Sequence, residues 1–318
     1  MIKIKFENLL VSIVVSVVVF FNTISTTMLD RTFFQVKVNF LFLVVLLLGL
    51  RFLYKMRVSY KYLILSILLL LSGVLVYFQT NRLNFLVYSM LLVLLVNVDM
   101  KVVLRNYVVV AGILVVGVFL LSLVGMVPNL QYNRAGVIRN SFGFIYPTDF
   151  ASHCFYLFLA ISYLLKDKLI WTRSLFGVLL SAFIIKYCDA RLNALSILLA
   201  TVIFIYFYYS NGKKLKIFAL LPYSAVVFAS VVTYLSYKFS WSDPFLVSIN
   251  KLITGRLGLG RNAFDTFGVH LFGTRNVQFI GSGGKTESVI GYNYVDSSYV
   301  QMLFTYGIVP VVLLIIIY

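Results

Sequence analysis

The stretch YLILSILLLLSGVLVYFQT, residues 62–80, runs for 19 residues without a charged side chain. At ~1.5 Å of rise per residue, a helix of this length crosses most of the ~30 Å hydrocarbon core of a bilayer. Lipid offers no partner for a free backbone amide or carbonyl, so the segment must satisfy its own hydrogen bonds and is predicted to span as a helix. Working outward, the same reading places spans near residues 9–29, 38–54, 83–98 and 103–126, then near 148–165, 170–187, 192–209, 217–237 and 297–318. The predicted fold is an all-α, polytopic transmembrane helical bundle of about ten spans, with residues 1–318 forming a single integral membrane domain.

Composition agrees. Hydrophobic residues make up 61%, aromatic residues 17% and charged residues only 12%, and the mean hydropathy is +0.98. Soluble domains carry about a quarter charged residues, so a soluble core is excluded. The net charge of +17 would point to nucleic acid in a soluble protein. Here it concentrates in the short loops that membrane insertion loads with Lys and Arg, so no nucleic-acid partner is expected.

A cytoplasmic N-terminus places 14 of the 27 basic residues inside, while the three short outer turns hold five, Arg31, Lys37, Arg82, Lys186 and Arg191. That asymmetry predicts a multi-pass protein of the cytoplasmic membrane with its N-terminus in the cytoplasm. Lys3 and Lys5 before an apolar run resemble a signal peptide, but no small-x-small cleavage site follows, and the first span reads as uncleaved. Tyr318 falls inside an apolar run without a basic flank, so the sequence reads as cut short within a span. Cys154 and Cys188 give neither a metal spacing nor a disulfide framework and read as small buried residues.

Two long connections interrupt the pattern, a first outer loop over 127–147 and a large one over 238–296. Loops of that length between packed spans are usually functional. The second carries Trp241, Phe245, Leu246, Phe264 and Phe267 and is predicted to fold, with a short interfacial helix over 257–271. Within it, Gly281-Ser282-Gly283-Gly284-Lys285-Thr286 is no phosphate loop, because Phe279 stands where the first glycine is needed; a turn is expected.

The spans hold almost no ionisable residue away from their ends, which argues against an ion-coupled transporter. The outer face instead carries Arg134, Arg139, Arg191, Arg256, Arg261 and Arg275. A guanidinium stays charged and offers a planar fork of donors that suits phosphate or diphosphate oxygens. The alternative is that these arginines pair with Asp149, Asp189, Asp243, Asp265, Glu287 and Asp296 or reach to lipid phosphates. His153 reads as a hydrogen-bonded core histidine, His270 as a surface residue, and Asp149 as a favourable charge at a helix start.

Four segments carry a resemblance: Arg139-Asn140-Ser141-Phe142-Gly143-Phe144-Ile145-Tyr146-Pro147-Thr148, the turn Asp189-Ala190-Arg191, Asn250-Lys251-Leu252-Ile253-Thr254-Gly255-Arg256, and Asp296-Ser297-Ser298-Tyr299 with Tyr306-Gly307-Ile308 downstream. In order and placement, over roughly residues 130–318, they resemble bacterial polysaccharide polymerases of the Wzy, or O-antigen polymerase, type and the related ligases. Tyr146 and Thr148 replace that family's His and Asn, and Ser297 replaces an Asn. The resemblance implies a GT-C-like fold and a glycosyltransferase using no metal or cofactor. Its substrate would be an undecaprenyl-pyrophosphate-linked oligosaccharide, polymerised into capsule, exopolysaccharide or O-antigen. Membrane lipids, and the flippase and chain-length regulator of the same pathway, are the candidate partners.

On this reading Arg191 and Arg256 stabilise the leaving diphosphate, and Asp296 receives the acceptor proton or caps the last span. Arg139, Arg134, Arg261, Arg275 and Tyr299 bind the diphosphate and sugars. The competing expectations are a ligase that passes finished glycan to another acceptor, a flippase or exporter of lipid-linked sugars, and a non-catalytic scaffold.

Overall fold

The computed structural model describes residues 6–29, 60–96, 98–134, 136–165, 168–210, 216–253, 255–281, 291–295 and 297–317. The expected span at 38–54, the glycine-rich turn at 283–286 and Asp296 lie outside the described residues. The described chain is helical apart from one small hairpin: α1 (Phe6–Ile24), α2 (Tyr60–Thr80), α3 (Asn84–Leu95), α4 (Met100–Leu123), β1 (Gln131–Arg134), β2 (Val137–Asn140), α5 (Pro147–Leu165), α6 (Ile170–Cys188), α7 (Arg191–Tyr209), α8 (Lys216–Lys238), α9 (Pro244–Leu252), α10 (Arg256–Phe267), α11 (Ser298–Tyr306) and α12 (Ile308–Ile317). Five of them, α2, α4, α5, α6 and α7, are long and apolar enough to cross a membrane. They turn Ile113, Leu120, Leu192 and Leu195 outward, each more than half exposed, which lipid tolerates and water would not. This is a helical membrane protein.

The chain forms two compact units. The first holds α1, the hairpin and α4 to α7, packed in the order α1, α4, α5, α7, α6. Small residues let the helices approach. A Cβ on Gly177 of α6 would lie 2.5 Å from the Thr201 hydroxyl of α7 and 2.8 Å from the Phe158 ring of α5, while the Ser181 hydroxyl donates to the Ala194 carbonyl at 3.0 Å across the same seam. Lipid supplies no hydrophobic drive between helices, so this close contact and interhelical bonding hold the bundle. Toward the hairpin, Phe119, Phe142, Phe150 and Phe183 form one aromatic cluster, with Phe119 stacked on Phe150 at 5.7 Å and Phe142 on Phe183 at 5.5 Å.

The second unit holds α2, α3 and α8 to α12. Here two expectations are corrected. The stretch 297–318, read as one continuous span, is broken at Gly307, whose φ is +92°. A Cβ there would lie 2.4 Å from both the Gly273 nitrogen and the Leu271 oxygen, so only glycine fits. The freed amides of Ile308 and Val309 donate instead to the His270 and Leu271 carbonyls, at 3.1 Å each. The fourth expected span, 83–98, keeps only the 12 helical residues of α3.

The large outer loop folds, as its aromatic content predicts. Asp243 caps α9 by accepting from the Phe245 and Leu246 amides. The expected interfacial helix is α10, ending at Phe267, so Leu271 lies beyond it. Ala263, Val277, Val295, Val300 and Phe304 make a small core around which Phe264, Phe267 and Tyr299 pack.

Candidate functional site

The loop over 127–147 builds a hairpin whose register pairs Tyr132 with Arg139 and Arg134 with Val137. Gly136, at φ +82°, makes the tight connection. Beyond β2 the chain dives inward. Ser141 and Phe144 are fully buried, Phe142 and Gly143 both adopt positive φ, and a Cβ on Gly143 would meet Val118 of α4 at 2.7 Å. The Met28 amide donates to the Gly143 carbonyl and the Ile145 amide to the Thr26 carbonyl. The middle of the Arg139–Thr148 motif, Ser141 to Phe144, therefore anchors the hairpin to α1 and α4, while Arg139 lies at its half-buried edge.

Arg139 is half-buried and its Nε donates to the Cys188 carbonyl at 2.9 Å, satisfying the C-terminus of α6. Asn140 bonds the preceding carbonyl, that of Tyr187, at 3.4 Å. The chain then turns sharply through Asp189, a left-handed residue at φ +43°. The Asp189 carboxylate accepts from Arg191 Nε at 2.8 Å; its side chain is 8% exposed, while that of Arg191 is 78% exposed. The salt bridge thus fixes the root of Arg191 and leaves its terminal amino groups at the surface. Burial lowers the Arg139 pKa, with Arg134 and Arg191 lowering it further, and Asp189 and Cys188 opposing. Arg191 is thus paired with the buried Asp189 carboxylate, while Arg139, bonded to the adjacent Cys188 carbonyl, feels Arg134 and Arg191 as like charges, a positive excess that an incoming anion would relieve.

Aromatic and amide groups complete this end of the first unit. Tyr132 and Tyr146 lie with ring centroids 5.9 Å apart, and the Tyr132 hydroxyl donates to the Ile145 carbonyl at 2.6 Å. Its pKa is raised to about 12, by burial first and then by Tyr146 and Asp149, with Arg139 opposing. Asn193 on the first turn of α7 donates to the Thr148 carbonyl and the Ser152 hydroxyl of α5, at 3.3 and 3.2 Å. The ends of β1, β2, α5, α6 and α7 are thereby tied into one polar rim.

Below the rim, an apolar groove of about 760 Å³ runs along α1, α4 and α5 toward the end opposite the hairpin, lined among others by Val19, Asn22, Met100, Tyr107, His153 and Phe204 and by none of the rim arginines. His153 is hydrogen-bonded, as expected: its Nε2 lies 2.9 Å from the Thr26 hydroxyl, which also lies 2.7 Å from the Thr23 carbonyl.

The second unit treats its arginines differently. Arg256 opens α10 behind Gly255 at φ +84°. Buried Asn250 accepts from the Leu257 and Gly258 amides at 2.9 and 3.1 Å, capping that helix from seven residues upstream. This gives Asn250 and Gly255 a structural role in their motif. Arg261 is held by Asp265 at 2.8 Å and by the Tyr237 carbonyl. Arg275 lies exposed in a turn. Tyr299 lines a separate groove of about 990 Å³ with Tyr237, Thr233 and Ser230 of α8.

Among the predicted site residues, then, Arg134, Arg139 and Arg191 come together in the first unit, and Arg256, Arg261, Arg275 and Tyr299 belong to the second. Sequence reading missed two features. Asn193 gave no signal in the sequence. Arg173, counted there as a loop cation, is 7% exposed, donating to the Ser162 carbonyl at 2.9 Å with the Phe204 ring 5.1 Å away; only its neighbours on α5 and α7 reveal that. No group of His, Cys, Asp and Glu that could hold a metal ion occurs among the described residues. Comparison of the chain with known protein families, with curated proteins and with solved structures finds no match.

Proposed function

We propose that this protein is a metal-independent glycosyltransferase of the cytoplasmic membrane that polymerises undecaprenyl-pyrophosphate-linked repeat units at the outer face. The single observation that carries the reading is that Arg139 and Arg191 are both fixed at the turn between α6 and α7, Arg139 on the Cys188 carbonyl and Arg191 on the neighbouring Asp189 carboxylate, with Arg134 acting on Arg139 as a further positive charge. Breaking a glycosyl diphosphate bond builds negative charge on the leaving group. Guanidiniums already fixed beside an apolar wall stabilise that charge without reorganising, and removal of one such donor typically costs ~3–4 kcal/mol of barrier. The groove below the rim supplies an apolar surface for the isoprenoid portion of the donor.

The finer parts of this proposal are about ten spans in a GT-C-like arrangement, a cytoplasmic N-terminus, and the flippase and chain-length regulator of the same pathway as neighbours. The basic bias of the short loops supports the orientation.

The test feeds purified protein the lipid-linked repeat unit of its own host and resolves the products by length. A ladder of longer products that disappears with Arg191→Ala is the expected result. Transfer to a different acceptor without a ladder would make the protein a ligase. Movement of the lipid between leaflets with no bond made would make it an exporter.

A further inference from the structure

A glycosyl transfer needs a place for the acceptor's proton as well as one for the leaving charge, and the rim described above supplies only the second. Four carboxylates belong to the described residues of the first unit: Glu7, Asp99, Asp149 and Asp189. Glu7 opens α1 and Asp99 caps the start of α4, where it accepts from the Lys101 amide. Both lie at the end opposite the hairpin, since the far end of α1 carries Thr27, which pairs with Phe144. Asp189 sits at the rim, but its carboxylate is buried against Arg191 at 2.8 Å, and a carboxylate locked to a guanidinium is a poor proton acceptor. Asp149 remains.

Asp149 stands in the first turn of α5, half-buried, and accepts from the Tyr146 backbone amide. Among the described residues no cation lies within ion-pair distance of it. It nevertheless belongs to the same rim, because it follows Tyr146, whose ring lies 5.9 Å from that of Tyr132, the hairpin partner of Arg139. The neighbouring Thr148 carbonyl is bonded by Asn193, two residues after Arg191. The other groups facing this turn are Tyr132 from the hairpin, Tyr146 just before it and His153 one helical turn on. Of these, the two tyrosines offer an aromatic face beside the carboxylate and suit a sugar ring.

We propose that Asp149 is the residue that receives the acceptor sugar's hydroxyl proton, making the rim of the first unit a complete transfer site for the reaction proposed above, on which this assignment rests. The acceptor hydroxyl oxygen bonds to the anomeric carbon as the bond from that carbon to the diphosphate oxygen breaks. The electron pair leaves on the diphosphate, beside Arg139 and Arg191. The hydroxyl proton passes to the Asp149 carboxylate, which afterwards returns it to water. The role expected for Asp296 is thereby filled from within the first unit.

The test uses the full chain in liposomes with three readouts: binding of undecaprenyl diphosphate, elongation of the lipid-linked repeat unit, and rescue by formate. Asp149→Asn preserves the acceptor for the Tyr146 amide and removes only the ability to take a proton. It should bind undecaprenyl diphosphate as the wild type does and elongate ~100-fold more slowly or worse. Asp149→Ala should regain part of its rate when formate is added, which a merely structural role for the carboxylate would not allow. Elongation within a few-fold of wild type in Asp149→Asn would overturn the proposal. So would loss of elongation in His153→Gln or Asp296→Asn together with a normal rate in Asp149→Asn. Should Asp149→Asn fail to fold, Asp149→Ala with and without formate decides, absence of rescue counting against the assignment. If wild-type protein that binds undecaprenyl diphosphate never elongates the repeat unit, the underlying reaction is wrong and the assignment falls with it.

Discussion

The two units use arginine in opposite ways. In the first, Arg139 is fixed on the Cys188 carbonyl and Arg191 on the buried Asp189 carboxylate one residue on, and Arg191 is anchored at its Nε while most of its side chain stays in solvent. In the second, Arg261 is spent on Asp265, four residues along the same helix, and on the Tyr237 carbonyl. An exposed pair of that kind contributes little to stability and has little left for a ligand. Positive charge that is fixed, uncompensated and beside an apolar groove is what a diphosphate site needs. The number of arginines does not distinguish the units; how each one is satisfied does.

The contrast is most sharply tested at Arg191 and Arg139. Replacing either by Ala is expected to slow product elongation by about 100-fold or more while membrane insertion is unchanged, read from product length at equal protein. A normal ladder from both variants would remove the basis for assigning the site to the first unit. Next in size is Gly307→Ala in the second unit, where a left-handed backbone and a Cβ 2.4 Å from the Gly273 nitrogen should together cost ~3 kcal/mol or more. Thermal unfolding in detergent would report it as a large drop in midpoint.

Asn250→Ala should cost about 1–2 kcal/mol by uncapping α10 and stranding two buried amides. Unfolding in a graded SDS series measures that loss. If it also lowered elongation as far as Arg191→Ala does, the units would not differ in the way argued here. Arg261→Ala comes last, expected to shift stability by no more than about 0.5 kcal/mol and to leave elongation unchanged; the same two assays check it.

Much of the architecture was readable because lipid imposes a simple rule on composition. The segments around 62–80, 103–126, 148–165, 170–187 and 192–209 each appear as helices within a few residues of the expected bounds. At 297–318 the rule failed. Hydropathy is blind to a single glycine, and the break at Gly307 depends on the loop at 270–274 supplying carbonyls for the freed amides. The hairpin was missed for a related reason: its two four-residue strands pair only with each other, and the chain beyond them is shaped by Gly143 packing on α4. At the site, residue type singled out Arg139 and Arg191, which the fold places at the end of β2 and the start of α7, but gave no means of separating them from Arg261. Asp149 looked like an ordinary charge at a helix start, because the absence of a cation near it among the described residues is a property of its surroundings.

The sequence by itself determined that this chain is a helical membrane protein and that its ionisable chemistry lies at the ends of its helices. Burying a charge or an unbonded amide in hydrocarbon costs too much for any other layout. Only the tertiary structure decided which arginines stand together, which are already satisfied and, among the described residues at the rim, that Asp149 has no cation within ion-pair distance. Those facts depend on distances between residues far apart in the chain, which no pattern of residue types encodes.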